Sequence, residues 1–315
     1  MGVAEARRLL SRLAVAASSR TALPTLAAVG AGVAFAVQAY VNGRLGRELG
    51  SGEVAALVNN SLALVITLAI ALPLGAVPRG LRRLPEVRPW YLLGGVGGAM
   101  LVTAGALGAP VLGVALLSVA LVCGQTSGSL FADRLGLSPA GRHDATPARI
   151  AGAALAIAAV AVSAFGARHE VHVLLLLFAV AAGVALALQQ AANGHLARTT
   201  DEPLFACIVN FVVGIALLTV AAAIVTGLSP PHGWSGSPLL YGGGVLGAGI
   251  AMSLVLVVSR LGVLRLMLAV TAGQAAGGLA IDLIAPAHAR SVTALTVAGV
   301  AMAFAAVLVT ARDRT

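Results

Sequence analysis

Ten apolar runs of seventeen or more residues follow one another along the chain, at 21–41, 54–74, 90–109, 111–132, 148–165, 171–192, 203–226, 239–258, 263–285 and 292–311. A helix crosses a bilayer with about twenty apolar residues, and in hydrocarbon every backbone N–H and C=O must be bonded within the segment. Such a chain can fold only as a bundle of spanning helices. With 59% hydrophobic and 10% charged residues among 315, the gaps leave no room for a sizeable water-soluble domain. The shortest joins, at Pro110 and at Ser259 to Gly262, are read as tight hairpins. Arg7, Arg8 and Arg12 ahead of the first run imitate a secretory or twin-arginine signal. That run exceeds a signal's apolar core, however, and nine more follow it.

All twenty basic residues are Arg. Without Lys there is no P-loop and no pyridoxal or retinal Schiff base, so the chain neither hydrolyses ATP by itself nor carries those cofactors. The net charge of +9 does not form one basic face for nucleic acid, because the Arg residues are distributed over the gaps. Basic residues near span ends remain cytoplasmic. Sixteen Arg lie in the amino-terminal segment, in alternate gaps (75–89, 133–149, 193–202, and 259–262 with Arg265) and in the tail; Arg44, Arg47, Arg168 and Arg290 lie on the other side. Both termini are therefore expected in the cytoplasm. Cys123 and Cys207 sit inside apolar runs and read as small core residues. The six His show no metal-ligand spacing, His169-Glu170 belongs to no HExxH, and no Ser lies in a G-x-S-x-G context. Neither a catalytic constellation nor a metal site is expected.

Shifting the chain by 151 residues lays 36–65 on 187–216 without a gap, with nine identities in thirty positions. A shift of 149 lays 94–99 on 243–248 and 112–135 on 261–284, and a shift of 147 lays 150–162 on 297–309. The chain holds only five Gln and five Asn, and eight of these ten form symmetric pairs: Gln38 with Gln189, Asn42 with Asn193, Asn59 with Asn210, and Gln125 with Gln274. Five spans per repeat is an odd number, so the second copy enters the membrane in the opposite direction. The expected architecture is all-α, a polytopic membrane protein of ten helices in two inverted five-helix repeats. A cytoplasmic segment 1–20 precedes the first repeat (21–166), the second (167–311) follows, and the tail is 312–315.

The segments AVQAYVNGRLGRELGSGEVAALVNN (36–60) and ALQQAANGHLARTTDEPLFACIVNF (187–211), with the two Gly-Gln helices that end in Asp133 and Asp282, resemble the drug/metabolite transporter superfamily, YdcZ-like branch. That branch is usually a five-span protein, so this chain looks like two such units fused. The resemblance implies a secondary carrier in the cytoplasmic (inner) membrane, exporting a small polar metabolite or drug-like solute by alternating access. Small multidrug resistance proteins, related to that branch, carry a membrane-embedded Glu in the first span, where this chain has Gln38. Two other readings are a proton-coupled antiporter of cationic drugs and a non-transporting membrane scaffold or subunit.

Gln38 and Asn42 share a helix face, as do Gln189 and Asn193. Amides in hydrocarbon need partners, so these faces should turn into the bundle, either lining a substrate cavity or joining helices. The substrate-site candidates are Gln38, Asn42, Asn59, Gln125, Gln189, Asn193, Asn210 and Gln274, with Gln125 and Gln274 nearest the pseudo-twofold axis. Asp133 and Asp282 each lie eight residues beyond their Gln, about 12 Å along a helix, and hence near opposite membrane faces. They are candidates for proton coupling or gating; the alternative is a solvated group or one paired with Arg134 or another loop Arg. Gly94-x-x-x-Gly98 and Gly243-x-x-x-Gly247 read as close-packing faces.

Overall fold

The computed structural model describes residues 3–137, 141–142, 146–165, 172–227, 233–261, 263–285 and 292–311, without side-chain detail for 3–21, 255–256, 258–265 and 310–311. Within them the fold is helical and no strand occurs. Eleven helices run in order: α1 Val3–Leu49, α2 Gly52–Ala71, α3 Ala76–Arg83, α4 Gly94–Leu112, α5 Val114–Arg134, α6 Pro147–Phe165, α7 Val173–Thr200, α8 Pro203–Thr226, α9 Gly242–Leu261, α10 Val263–Ile284 and α11 Ala294–Ala311. Eight stretches are long and apolar enough to cross a membrane, and the described parts of α9 and α11 are shorter apolar helices. All ten coincide with the ten apolar runs, and the chain is a multi-pass membrane protein.

Local chemistry moved several boundaries. Helix α1 is continuous from Val3 through the segment expected to precede the first span, and carries Pro24 within it. It runs on to Leu49, where Gly50 takes a φ of 76° and Ser51 caps α2 by accepting from the Val54 amide at 3.2 Å. Helix α7 likewise extends to Thr200 and stops at Asp201 in the left-handed region. Pro110 lies in the last turn of α4, and the break falls at Gly113, whose φ is 79°. Helix α3 has no apolar run, so the hydropathy pattern missed it. It is tied to the α7–α8 turn by an ion pair between Arg79 and Glu202, and this hydrogen-bonded carboxylate raises the pKa of the exposed guanidinium above its ordinary value. The expected repeat boundary at 166/167, the tail 312–315, the segment with Arg168 and His169-Glu170, Gly262 and Arg290 all lie outside the described residues.

The two repeats interlock. Helix α1 packs on α9 and α10 of the second repeat, while its counterpart α7 packs on α4 and α5 of the first; α2 meets α8, and α6 meets α11. Close approach is permitted by glycine. A Cβ on Gly32 would strike the Val270 carbonyl, and one on Gly273 the Val29 carbonyl; the symmetric Gly183 and Gly124 face the Leu121 and Val180 carbonyls in the same way. Small residues at crossings of this kind let helix backbones touch in a membrane. The helix packing also departs from the symmetry. Helix α1 also packs on α4, with Gly43 against Pro110, whereas among the described residues α7 and α9 make no comparable contact.

Candidate functional site

The symmetric amides sort into three groups. Gln125 of α5 and Gln274 of α10 meet directly, Gln125 Nε2 donating to Gln274 Oε1 at 3.1 Å, and both are buried. Each residue comes from a different repeat, so this contact lies on the pseudo-twofold relation itself. The second group holds the start of α9. Gln38 Nε2 donates to the Gly243 carbonyl at 2.8 Å, Asn59 Nδ2 to Asn42 Oδ1 at 2.6 Å, and the Gly244 amide to Asn59 Oδ1 at 3.1 Å. A side chain at Gly243 or Gly247 would collide with these amides. The third group repeats the arrangement: Gln189, Asn193 and Asn210 crowd Gly94, Gly97 and Gly98 of α4. There Gln189 Oε1 and Asn210 Oδ1 are buried without a hydrogen-bond partner. The amides of one repeat thus clasp the glycine-rich helix start of the other, and the Gly-x-x-x-Gly faces are the surfaces clasped. In chain terms Gln38 stands six residues beyond Gly32, which abuts Gln274, about 9 Å along α1. The outer amides therefore do not join Gln125 and Gln274 in one ring.

Helices α5 and α10 cross antiparallel through the Gln125–Gln274 contact, and their two ends differ. On one side they are zipped: Gly278 packs against Ser118 and the Val114 carbonyl. The seam closes there with Asp282, whose Oδ1 accepts from the Val114 amide at 2.9 Å and Oδ2 from the Ala115 amide at 2.8 Å. A carboxylate on the first amides of a helix is a charged cap, favoured also by the helix dipole. On the other side they part around a cleft with about 510 Å³ of empty space, some of it open to the surroundings, lined by Gln125, Thr126, Ser129, Leu130, Asp133, Arg149, Met267, Leu268 and Thr271. Asp133 there accepts from Arg149 Nη1 at 3.0 Å.

The cleft is rich in acceptors. Thr126 Oγ1 donates to the Val122 carbonyl, Ser129 Oγ to that of Gln125, and Thr271 Oγ1 to those of Met267 and Leu268. Each hydroxyl has its single proton committed to its own helix, so what remains for a ligand is oxygen lone pairs. Gln125 Oε1, at the head of the cleft, is buried and without a partner. Arg149 is the basic group of the wall, 7% exposed. Sequence reasoning counted it only as a topological charge, and among the alternatives for Asp133 it is a loop-side Arg, not Arg134, that makes the pair. Thr126, Ser129 and Thr271 were also missed. A signal was present, since 125, 126, 129 and 133 recur at helical spacing and form a polar stripe on α5. Cys123 and Cys207 are buried among apolar neighbours.

A family described as "Putative inner membrane exporter, YdcZ" matches twice, over residues 23–162 and 174–309. The chain belongs to the YdcZ family. Each match covers one repeat, and together they take in nearly all the spans. This places the chain in the drug/metabolite transporter superfamily, in a family described as inner membrane exporters. None of the curated proteins matches it. A crystal structure of a protein 20% identical in sequence has the same fold, with a TM-score of 0.55 over 95% of this chain and 99% of that one.

Proposed function

We propose that the chain is a secondary exporter that carries a small, polar, donor-bearing solute across the cytoplasmic membrane by alternating access, with the cleft between Gln125 and Asp133 as its substrate site. The observation that carries this reading is Gln125 Oε1, buried without a partner where the two repeats meet and the cleft begins. A buried amide oxygen left unbonded costs about 1–3 kcal/mol, and a solute N–H or O–H would offset that cost. The hydroxyl oxygens of Thr126, Ser129 and Thr271 extend the same preference along the cleft, so amines, amides and polyols fit it better than carboxylates or phosphates. Gln274 positions Gln125. Gln38, Asn42, Asn59, Gln189, Asn193 and Asn210 are assigned to holding α9 and α4 at the correct depth as the repeats move.

The Arg distribution puts the Asp133 end in the cytoplasm with both termini. In that orientation the cleft opens inward and the Asp282 cap closes the outer face, which is the loading state of an exporter. For a cationic-drug antiporter of the small multidrug resistance type, Asp133 would have to bind the cation, yet it is already paired with Arg149. That pairing favours a neutral or weakly basic solute. The test is a ligand-stabilisation screen on detergent-solubilised protein, followed by flux of the best binder into proteoliposomes. A site ligand at 100 times its dissociation constant adds about 2.7 kcal/mol. Binders that stabilise Gln125→Leu less than they stabilise the wild type support the site, and a protein that moves none of them while retaining a protein partner is a scaffold.

A further inference from the structure

The connection between the second and third spans is basic in one repeat only. Residues 72–89 hold Arg79, Arg82, Arg83 and Arg88 against the single acid Glu86, whereas the corresponding residues 227–237 contain no Arg. Helix α3, within the basic connection, is sorted by face. Ala76 and Val77 pack in one cluster with Leu204 and Ile208 of α8, and Gly80 is buried under the ring of Phe205. Arg79 is held by Glu202 at the head of α8. With about 100° between successive residues, Arg79, Arg82 and Arg83 share one arc of about 100° turned away from the packed face. Arg82 and Arg83 are exposed, and so are Leu72, Leu74 and Leu81 of the same connection. The depth of the helix follows from its neighbours. Ala71 ends one span and Pro89 begins the next, and that next span opens with Trp90 and Tyr91 in edge contact, their ring centroids 4.6 Å apart. Aromatic residues at a span end mark the headgroup level, and a helix of eight residues, about 12 Å long, keeps its arginines near it.

We propose that the exposed arc of α3, Arg82 with Arg83, binds the headgroup of an anionic phospholipid whose acyl chains lie over Leu72, Leu74 and Leu81. The guanidiniums meet the headgroup phosphate through charge-assisted hydrogen bonds, and the leucines give the chains an apolar bed. A lipid fits this surface better than a free phosphate, because a soluble anion would use the arginines and leave the leucines exposed. An anionic headgroup fits better than a zwitterionic one, which brings its own cation to the same place. Helix α3 belongs to the first repeat and packs on the start of α8 in the second, so the bound lipid bears on a joint between repeats. The surface is separate from the cleft, and the inference is independent of what the cleft carries.

The chain has two Trp, and each reports on one connection. Trp90 follows the basic one, and Trp234, 69% exposed, stands in the one without Arg. The test reconstitutes the full-length Trp234→Phe variant in mixtures of phosphatidylcholine and phosphatidylglycerol, with one lipid or the other brominated. Quenching of Trp90 then gives the relative affinity of the two lipids at that position. Phosphatidylglycerol should be favoured by at least about fivefold, the effect of one arginine at an anionic surface. Arg82→Gln with Arg83→Gln should bring the ratio near one, Arg82→Lys with Arg83→Lys should keep most of it, and Trp234 in a Trp90→Phe chain should show no preference. If the double Gln variant does not fold, Arg82→Gln and Arg83→Gln are read singly, each lowering the ratio severalfold. A ratio near one in the parent, a preference that survives loss of the arginines, or an equal preference at Trp234 overturns the proposal. So does a preference that inorganic phosphate abolishes at constant ionic strength, because the occupant is then a free anion.

Discussion

The contact between Gln125 and Gln274 separates a substrate site from helix glue, because the two amides are not equivalent. Gln125→Leu removes the 3.1 Å bond, which in a membrane contributes about 0.6 and at most about 1.7 kcal/mol. It also exchanges one unpartnered buried oxygen for another, removing Gln125 Oε1 and orphaning Gln274 Oε1, so two opposing terms of about 1–3 kcal/mol nearly cancel. Its stability should therefore lie within about 1 kcal/mol of wild type. Gln274→Leu is expected to be worse, because it leaves both polar atoms of the Gln125 amide buried in place; a loss of about 1–3 kcal/mol follows. The double Leu variant should recover towards wild type, since replacing both partners of a buried hydrogen bond by apolar groups of similar shape is nearly neutral. Thermal unfolding in detergent gives the three stabilities. For binding, loss of one neutral hydrogen bond from Gln125 is about 0.5–1.5 kcal/mol, an affinity about two- to twelvefold weaker. The same melts repeated with a ligand series measure it. A Gln125→Leu protein that loses more than about 3 kcal/mol while the surviving fraction binds with unchanged affinity would refute the site and leave the pair as packing.

Four other outcomes are expected. Reporter fusions should place Phe165 outside and Thr315 inside the cytoplasmic membrane; a cytoplasmic reading at Phe165 would remove the inverted-repeat orientation. Asp282→Ala should cost about 0.5–2 kcal/mol in thermal unfolding as a lost helix cap, with Asp282→Asn retaining most of it. Transport by the Asp133→Asn, Asp282→Asn double variant should fall further than its yield of folded protein, and transport equal to wild type would leave both carboxylates outside gating. Gly273→Leu and Gly124→Leu should abolish stable expression, because the new side chain meets the Val29 or Val180 carbonyl, whereas Gly30→Ala, with open space around it, should express as wild type.

Much of the fold was legible because the bilayer reduces the choice of structure to one variable. Ten apolar runs become ten helices when no other element can satisfy its backbone in hydrocarbon, and eight amides placed as four pairs in a chain so poor in polar residues reveal the repeat. The amide positions were also readable as important, but their partners were not. Hydropathy carries no information on which helix a face will meet. Gln38 and Asn59 turned out to hold Gly243 and Gly244 across the repeat boundary, an exchange decided by glycine contacts such as Gly32 on the Val270 carbonyl. Arg149 read as one more cytoplasmic charge, and only the packing of α6 beside α5 turned it into a buried wall of the cleft. By itself, then, the sequence determined the solvent, the helices, the inverted symmetry and the inventory of polar groups, since these follow from local composition and spacing. The tertiary structure decided how the repeats interlock, which amide oxygen is left for a ligand and that Arg149 is the partner of Asp133, since each depends on contacts between separate helices that no single segment encodes.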